Sequence, residues 1–249
     1  MIVFDHVGFS YNKRRVLKDL SFSINNNERV AILGGSGEGK TTILKLIMGL
    51  LRPDSGRIIV DGEDITIKTE SEFRDVRMKF SIVFQEGALF DSLNVKENVA
   101  FCLREYTKLS EEELDRRVRE LLSVVGVEHA LDLMPDELSG GMHRRVAIAR
   151  SLAASDPVMF LYDEPTTGLD PVNADTICKL IIDLSRDNKG FIIVTHKVYD
   201  AMRVAGRFMF LKEGTVIFDG NREMLEQATV TEIQIFMQEL QGAKTLCSK

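Results

Sequence analysis

The chain has 249 residues, of which 44% are hydrophobic and 28% are charged, and this is enough to bury a sizeable core in one domain or in one domain with a subdomain. Its net charge of −6 argues against a protein whose main partner is the phosphate backbone of nucleic acid. No apolar run approaches the roughly 18 residues that a membrane-spanning helix needs, so we expect a globular protein that does not itself cross a membrane.

The amino-terminal residues and the cysteines indicate the compartment. Residues 1–6 (MIVFDH) have neither a signal-peptide nor a transit-peptide pattern, and we therefore expect a cytosolic chain. Cys102, Cys178 and Cys247 are widely spaced and lack the Cys/His clustering of a zinc site. We expect reduced thiols, which suit a reducing cytosol.

The first quarter of the chain has the pattern of a strand-rich region. Residues 20–24 (LSFSI) alternate with a period of two, and an asparagine turn at 25–27 precedes an apolar run at 29–33 (RVAIL). Residues 42–51 (TILKLIMGLL) follow a glycine-rich segment and have the length and composition of a helix. We therefore predict a strand, a glycine-rich turn and a helix in that order.

The middle of the chain is predicted to be helical. Residues 110–125 open with a Ser-x-x-Glu capping pattern, carry acidic residues before basic ones, and place apolar residues at helical spacing. Residues 144–154 also favour a helix. We therefore predict a helical subdomain over about residues 86–155.

The last third returns to an α/β pattern. The apolar runs at 158–162 (VMFLY) and 191–194 (FIIV) are typical of strands buried on both faces of a parallel sheet, and residues 174–188 between them have helical spacing. Residues 208–218 predict two short strands around a turn. Residues from 222 onward predict a polar helix with a loose tail.

The segment 34–41 (GGSGEGKT) carries the strongest chemical signal. It matches GxxxxGK[ST] between a predicted strand and a predicted helix, which is the context that a nucleotide-binding phosphate loop needs. Backbone N–H groups and the helix amino terminus would bind phosphate oxygens, while Lys40 supplies charge to the β and γ phosphates and the Thr41 hydroxyl ligates Mg²⁺. We expect the acidic side chain of Glu38 to point outward. The predicted nucleotide site here comprises Gly34, Gly35, Ser36, Gly37, Glu38, Gly39, Lys40, Thr41 and Thr42.

Polar residues at two later strand ends complete this chemistry. Asp163 and Glu164 directly follow the run at 158–162. Asp163 is predicted to orient Mg²⁺, and Glu164 to act as the general base on the attacking water. His196 follows the run at 191–194, and we expect it to contact the γ-phosphate from the carboxyl edge of the sheet.

A second anion site is predicted at residues 138–141 (LSGG). A serine hydroxyl and two glycines stand there at the start of a predicted helix. One nucleotide does not account for two such sites in one subunit unless the sites face each other across a dimer.

The ordered set of motifs over nearly the whole chain resembles the ATP-binding subunits of ABC transporters. The set consists of Tyr11, GGSGEGKT, Gln85, LSGG, DEP (163–165), GLD (168–170) and His196. The resemblance implies a P-loop NTPase core of about 1–85 and 156–228, with a strand-rich amino-terminal part, the helical subdomain, and a helical tail over 229–249. It also implies a head-to-tail dimer with ATP and Mg²⁺ held between the subunits.

The resemblance further implies individual roles. Tyr11 would stack on adenine, Gln85 would touch Mg²⁺ and the water, and Asp170 would cross the dimer interface. Ser139, Gly140 and Gly141 would bind the γ-phosphate of the partner's ATP. For three of these residues a purely structural role stays open. Tyr11 could be a core aromatic, Gln85 a polar residue at a strand end, and Asp170 a helix N-cap before Pro171.

One departure from the usual family sequence points to a particular branch of the family. Met142 follows LSGG where the family commonly has glutamine, and since Ser139 and both glycines are intact, we expect hydrolysis to survive. LSGGM together with FQEGALFDSLNV (84–95) looks like the ATPases of Mla systems, which move phospholipid between bacterial membranes with an integral permease and an MCE-domain protein. Leu89 and Phe90 then belong either to the permease contact or to the core. The resemblance places the subunit on the cytoplasmic face of the inner membrane, in contact with it only through the permease.

Other classes of protein share these nucleotide-binding motifs. An importer of another substrate, such as an amino acid, shares the nucleotide motifs, and this subunit does not encode the substrate. DNA-repair and chromosome ATPases share them too, but carry long coiled-coil or zinc insertions for which 249 residues leave no room. A module that binds ATP without turnover would have lost Lys40, Asp163, Glu164 or His196, and all four are present.

Overall fold

The structure is a computed structural model that describes residues 1–153 and 157–246, with side chains of the last helix described up to residue 238. The strands are β1 (Ile2–Tyr11), β2 (Arg14–Ile24), β3 (Arg29–Leu33), β4 (Ser55–Val60), β5 (Glu63–Asp64), β6 (Phe80–Val83), β7 (Met159–Asp163), β8 (Gly190–Thr195), β9 (Arg207–Lys212) and β10 (Thr215–Asn221). The helices are α1 (Lys40–Ile47), α2 (Phe73–Met78), α3 (Val95–Tyr106), α4 (Glu111–Val124), α5 (Gly140–Ala153), α6 (Pro171–Leu184), α7 (Val198–Val204), α8 (Arg222–Glu226) and α9 (Thr231–Leu246). Ala154, the predicted end of one helix, and Cys247 lie outside the described residues.

The chain divides into two compact units, one formed by 1–73 with 190–249 and the other by 74–189. The first unit holds an antiparallel sheet in the order β2-β1-β4-β5, and a second set of strands in the order β10-β9-β3-β8. Here β3 pairs in parallel with both β8 and β9. In the second unit β6 and β7 pair in parallel, and α3, α4 and α5 lie in this unit.

The parallel strands have the burial that their composition predicts. Every residue of β7 and β8 is buried, and the apolar residues of β3 are buried as well. Strands covered on both faces need continuous apolar runs, which is the pattern seen at 158–162 and 191–194. The predicted α/β fold is therefore confirmed.

The long middle helix α4 is also confirmed, together with its cap. Ser110 Oγ accepts the N–H of Glu113, and the Glu113 carboxylate accepts the N–H of Ser110. This reciprocal capping box satisfies N–H groups that the first helical turn leaves without a partner.

Two predicted helices have different ends in the structure. The helix predicted over 42–51 is α1, which ends earlier because Gly49 turns the chain with a φ of +63°. Leu50 N–H donates to Lys45 O and Gly49 N–H to Leu46 O, which is a Schellman termination. The carboxyl-terminal helix is interrupted between α8 and α9 by residues 227–230, where β-branched Thr229 and Val230 disfavour helix.

None of the described helices combines the length and the apolar character needed to span a membrane.

Candidate functional site

The predicted phosphate loop lies between β3 and α1. Gly34, Gly37 and Gly39 adopt positive φ angles of 152°, 83° and 103°. A Cβ at Gly34 would lie 2.4 Å from Leu211 O, and one at Gly39 would lie 2.8 Å from Leu17 Cδ2. Because both the conformation and the available space exclude a side chain at Gly34 and Gly39, the loop depends on glycine there.

Lys40 and the start of α1 supply the groups of this loop that can bind an anion. Lys40 is 6% exposed, and its Nζ donates to Gly34 O and Gly35 O, both at 2.9 Å. The N-cap is Gly39, which contributes no side-chain cap. The ammonium group and the N–H groups of the first turn can therefore serve a phosphate at the loop, and the half-buried Thr41 adds a hydroxyl oxygen suited to Mg²⁺.

The side chain of Glu38 ties the loop to the turn between β9 and β10. Its Oε2 accepts the backbone N–H of Glu213. Glu213 has a positive φ of 48°, so this bond also holds a residue in an uncommon conformation. The carboxylate thus anchors the loop to a neighbouring turn.

His196 and the phosphate loop follow neighbouring strands in register. Leu33, the last residue of β3, pairs with Thr195, the last residue of β8. His196 is half-buried immediately after Thr195. The carboxyl ends of parallel strands are where ligands bind in open α/β sheets, so the fold brings these two predicted elements to one edge.

Tyr11 ends β1 and is 43% exposed. Its only described ring contact is edge-on with Phe9, at 4.8 Å between centroids and 87° between planes. The reading of Tyr11 as a core aromatic is therefore wrong, and one face of the ring can accept a stacked base.

In the second unit, Asp163 and Glu164 lie at the end of β7. They are 3% and 7% exposed, and Glu164 has a positive φ of 47°. A buried non-glycine residue in this region is strained, and such strain clusters at functional sites. The Glu164 carboxylate accepts a hydrogen bond from Thr167 Oγ1 at 2.9 Å, which orients it; the sequence analysis did not identify Thr167.

Gln85 is brought to the same sheet edge as these carboxylates. Val83 at the end of β6 pairs with Tyr162 of β7, and Gln85 is exposed two residues beyond β6. The backbone beside it is held by Arg144, whose Nη1 donates to Phe84 O at 2.9 Å.

Arg144 is a further residue that the sequence analysis missed. Burial lowers the pKa of its guanidinium, and the nearby Asp163 carboxylate acts in the opposite direction. A buried arginine needs hydrogen-bond acceptors. The one sequence signal for this role was an arginine at a core-facing position of α5, the helix that begins in the LSGG segment.

The LSGG segment and Asp170 are joined through Asn173. Ser139 and Gly140 are exposed, whereas Gly141 is buried, and a Cβ at Gly141 would lie 2.3 Å from Asn173 Oδ1. Asn173 Nδ2 donates to Asp170 Oδ2 at 2.6 Å. Asp170 is also the N-cap of α6, accepting the N–H groups of Val172 and Asn173, so the N-cap reading holds alongside any role at an interface. Asn173 was not foreseen, because only the folded chain places it against Gly141.

The capping carboxylate gives a pH-dependent prediction. Hydrogen bonds from the backbone and side chain of Asn173 lower the pKa of Asp170 below its ordinary value of 3.8. A lowered pKa means that the ionised form stabilises the fold above that ordinary value, and that this contribution is lost as the pH falls through the folded-state pKa. Asp170→Ala should therefore lower the melting temperature at pH 7 by about 2–4 °C, and by less near pH 3.

Thermal unfolding followed by circular dichroism at both pH values measures this difference. The control is Asp183→Ala, which removes an exposed carboxylate at the opposite end of α6. A loss of stability at Asp170 that is the same at both pH values would show that the ionised cap contributes nothing.

Comparisons with known proteins agree with this geometry. A family model described as ABC transporter matches residues 17–167. The chain is 38% identical over 238 residues to the intermembrane phospholipid transport system ATP-binding protein MlaF of Haemophilus influenzae, covering 95% of this chain and 90% of that protein. It is 36% identical over 244 residues to protein TRIGALACTOSYLDIACYLGLYCEROL 3, chloroplastic, of Arabidopsis thaliana, covering 91% and 70%. Among solved structures, the dimeric post-hydrolysis state of an ATP-binding cassette bound to ADP and Pi superposes with a TM-score of 0.81 at 32% identity, covering 89% of this chain and 98% of that chain.

Proposed function

The chain belongs to the ATP-hydrolysing subunits of ABC transporters, and from that premise we propose that it drives phospholipid transport between bacterial membranes, together with an integral permease and an MCE-domain lipid-binding protein. The observation that carries the lipid assignment is the nearly end-to-end similarity to the ATP-binding protein of a bacterial phospholipid transport system, which covers 95% of this chain. The subunit is then peripheral on the cytoplasmic face of the inner membrane and contacts that membrane through the permease.

The proposed catalytic cycle uses two copies of the chain, head to tail. In each copy the phosphate loop with Lys40 binds the triphosphate, and Tyr11 stacks on adenine. Ser139, Gly140 and Gly141 close on the ATP of the other copy. The exposure of Ser139 and Gly140 and the dimeric state of a similar cassette support this arrangement.

The residues present suit Mg²⁺ and hydrolysis. Thr41, Gln85 and Asp163 supply hydroxyl, amide and carboxylate oxygens, the hard donors that Mg²⁺ prefers, and the ion when bound neutralises charge on the phosphates. Glu164 takes the proton of the attacking water, and His196 contacts the γ-phosphate.

A surface beside Gln85 is the proposed contact with the permease. We call the side chains of Leu89, Phe90 and Phe101 the aromatic docking surface. Phe90 is 40% and Phe101 49% exposed, with their ring centroids 4.8 Å apart, and Leu89 is half-buried. Exposed apolar residues rimmed by polar ones often mark an interface, and the alternative that Phe90 belongs to the core does not fit its exposure.

Truncating this surface should separate membrane association from folding. Leu89→Ala/Phe90→Ala is expected to keep ATP binding and to change the melting temperature little. Phe90 is exposed and Leu89 only half-buried, so truncating them should cost much less than truncating a fully buried leucine or phenylalanine, which costs about 2–5 kcal/mol. Removing anchors at a protein interface can cost about 2 kcal/mol or more of that contact, so retention on permease-containing membranes should fall.

Sedimentation of the variant with membranes, beside thermal unfolding of the purified subunit, measures both effects. Tyr199→Ala, which removes another exposed aromatic ring, is the control. A large drop in melting temperature with membrane retention unchanged would place Leu89 and Phe90 in the core instead.

The permease, the MCE-domain protein and the transported lipid are tested together by affinity purification of the subunit from native membranes. We expect both proteins and phospholipid to co-purify. Recovery of a permease with a solute-binding protein for a polar substrate would instead establish the alternative, an importer of another class, and recovery of neither would point to a non-transport ATPase.

A further inference from the structure

The loop after Gln85 is folded tightly against α5. Gly87 and Ala88 have consecutive positive φ angles of 72° and 52°. A Cβ at Gly87 would lie 2.9 Å from His143 Cε1 and 3.1 Å from Ala147 Cβ, so the loop has no space for a side chain there. Ala88 is a non-glycine residue in the left-handed region, a conformation that surrounding contacts must hold in place.

Arg150 of α5 supplies one of those contacts. Its Nη1 donates to Ala88 O, and its guanidinium lies over the Phe90 ring at 5.1 Å from the centroid. A guanidinium can do both at once, because its donors lie in the plane of the group while its face is available for stacking. Arg150 therefore fixes the strained residue and the adjacent docking ring together.

Asn98 of α3 holds the far side of Phe90. Asn98 is fully buried, and its Oδ1 accepts the Phe90 N–H at 2.8 Å while its Nδ2 donates to Phe90 O at 3.1 Å. The same Nδ2 donates to Leu93 O at 2.8 Å. The backbone of Phe90 is thereby fixed to α3, the helix that carries Phe101.

The position of Arg150 on α5 suggests what this contact does. Helix α5 begins at Gly140 in the LSGG segment, and Arg150 lies about 15 Å further along the helix axis at 1.5 Å per residue. The same helix also holds Phe84 O through Arg144. One rigid element thus connects the proposed site for the partner's ATP to both sides of Gln85 and to the aromatic docking surface.

We infer that Arg150 is a positioning residue that passes movement of the LSGG helix to the permease contact, by fixing Ala88 and the Phe90 ring relative to α5. This inference rests on the proposed function. Arg150 takes no part in the chemistry, so its loss should leave the basal ATPase reaction intact and weaken the response to the permease.

The positioning itself is tested on the isolated subunit. Arg150→Lys keeps the positive charge and a donor but loses the planar face. We expect amide hydrogen exchange to become faster in peptides covering residues 85–90 and to stay unchanged in peptides of α4. Arg74→Lys is the matched control, because the Arg74 guanidinium also lies over an exposed aromatic ring, that of Tyr106 at 5.5 Å from the centroid. Unchanged exchange in residues 85–90 would overturn the inference.

The coupling is tested with the permease complex that co-purifies with the subunit, placed in vesicles of phosphatidylethanolamine and phosphatidylglycerol. We expect Arg150→Lys to keep the kcat and KM of the isolated subunit and to lose most of the stimulation that the permease gives to the parent and to Arg74→Lys. Full stimulation of Arg150→Lys overturns the inference. If the permease does not stimulate the parent either, the proposed function fails, and the exchange experiment still decides whether Arg150 positions the loop.

A second variant covers the case in which Arg150→Lys is unstable. Arg150→Gln keeps a side-chain donor but has neither the charge nor the planar guanidinium that contact Ala88 O and the Phe90 ring. We expect it to keep basal turnover, to speed exchange in residues 85–90 and to lose part of the stimulation, and exchange and stimulation equal to the parent's would contradict the positioning role.

Discussion

Replacing Glu164 by glutamine is expected to lower ATP hydrolysis by roughly 10²- to 10⁴-fold while ATP binding persists, because the amide cannot take the proton of the attacking water. The structure indicates that this substitution preserves the local hydrogen bonding. The Glu164 carboxylate is nearly buried and accepts a hydrogen bond from Thr167 Oγ1, and the amide oxygen of glutamine can accept the same bond. The backbone conformation of residue 164 should therefore survive the change.

Turnover with Mg²⁺ and ATP, measured beside the binding of a fluorescent ATP analogue, tests this prediction. Glu120→Gln, which neutralises an exposed carboxylate on α4, serves as the control. Lys40→Ala should fail at an earlier stage, in binding or in positioning the phosphates, because it removes the buried cation of the phosphate loop. Near-normal turnover of Glu164→Gln would remove Glu164 from its proposed role.

Ser139→Arg is expected to abolish ATPase activity while leaving ATP binding to the isolated subunit nearly intact. Ser139 is exposed at the start of α5, so a large cation there does not disturb the core of the subunit. If Ser139 acts on the ATP of the other copy, the arginine blocks closure of the dimer without touching the phosphate loop of its own chain. Loss of ATP binding by the Ser139→Arg monomer would contradict this geometry.

Mixing two inactive variants gives the sharper form of that test. In a heterodimer of Ser139→Arg with Lys40→Ala, both defects fall on one composite site and the other site is intact. Random pairing of equal amounts then restores up to about a quarter of the parent activity, since half of the dimers carry one of two working sites. No recovery at any ratio would count against composite sites, provided that the two variants are shown to associate.

The sequence predicted the chemistry best where a local pattern determines it. The phosphate loop follows from glycines whose φ angles and lack of space admit no side chain at Gly34 and Gly39. The buried parallel strands follow from continuous apolar runs, and α4 follows from its capping box. In each case the residues that specify the structure are neighbours along the chain.

Most of the residues that support these motifs were not predicted, because their contacts join distant segments. Asn173 fills the space beside Gly141. Thr167 is the exception, because it orients Glu164 from only three residues away along the chain. Arg144 and Arg150 hold carbonyl groups about 60 residues away along the chain. A threonine, an asparagine or an arginine on a helix has no local signature for such a bond, so only the fold identifies it. The early end of α1 also depends partly on a distant residue. A Cβ at Gly49 would lie 2.1 Å from the ring of Phe73, and no local pattern in the sequence shows this close approach.

The most direct test of the proposed function is lipid transfer by the reconstituted complex. The subunit, with the permease and MCE-domain protein that co-purify with it, is placed in donor vesicles containing a fluorescent phospholipid, and transfer to acceptor vesicles is followed with and without ATP and Mg²⁺. We predict transfer, or its acceleration, only with hydrolysable ATP and the parent subunit, and its loss with Glu164→Gln. Transfer that does not depend on ATP, or ATP hydrolysis coupled to the uptake of a polar solute instead of lipid movement, would contradict the assignment of this chain to phospholipid transport.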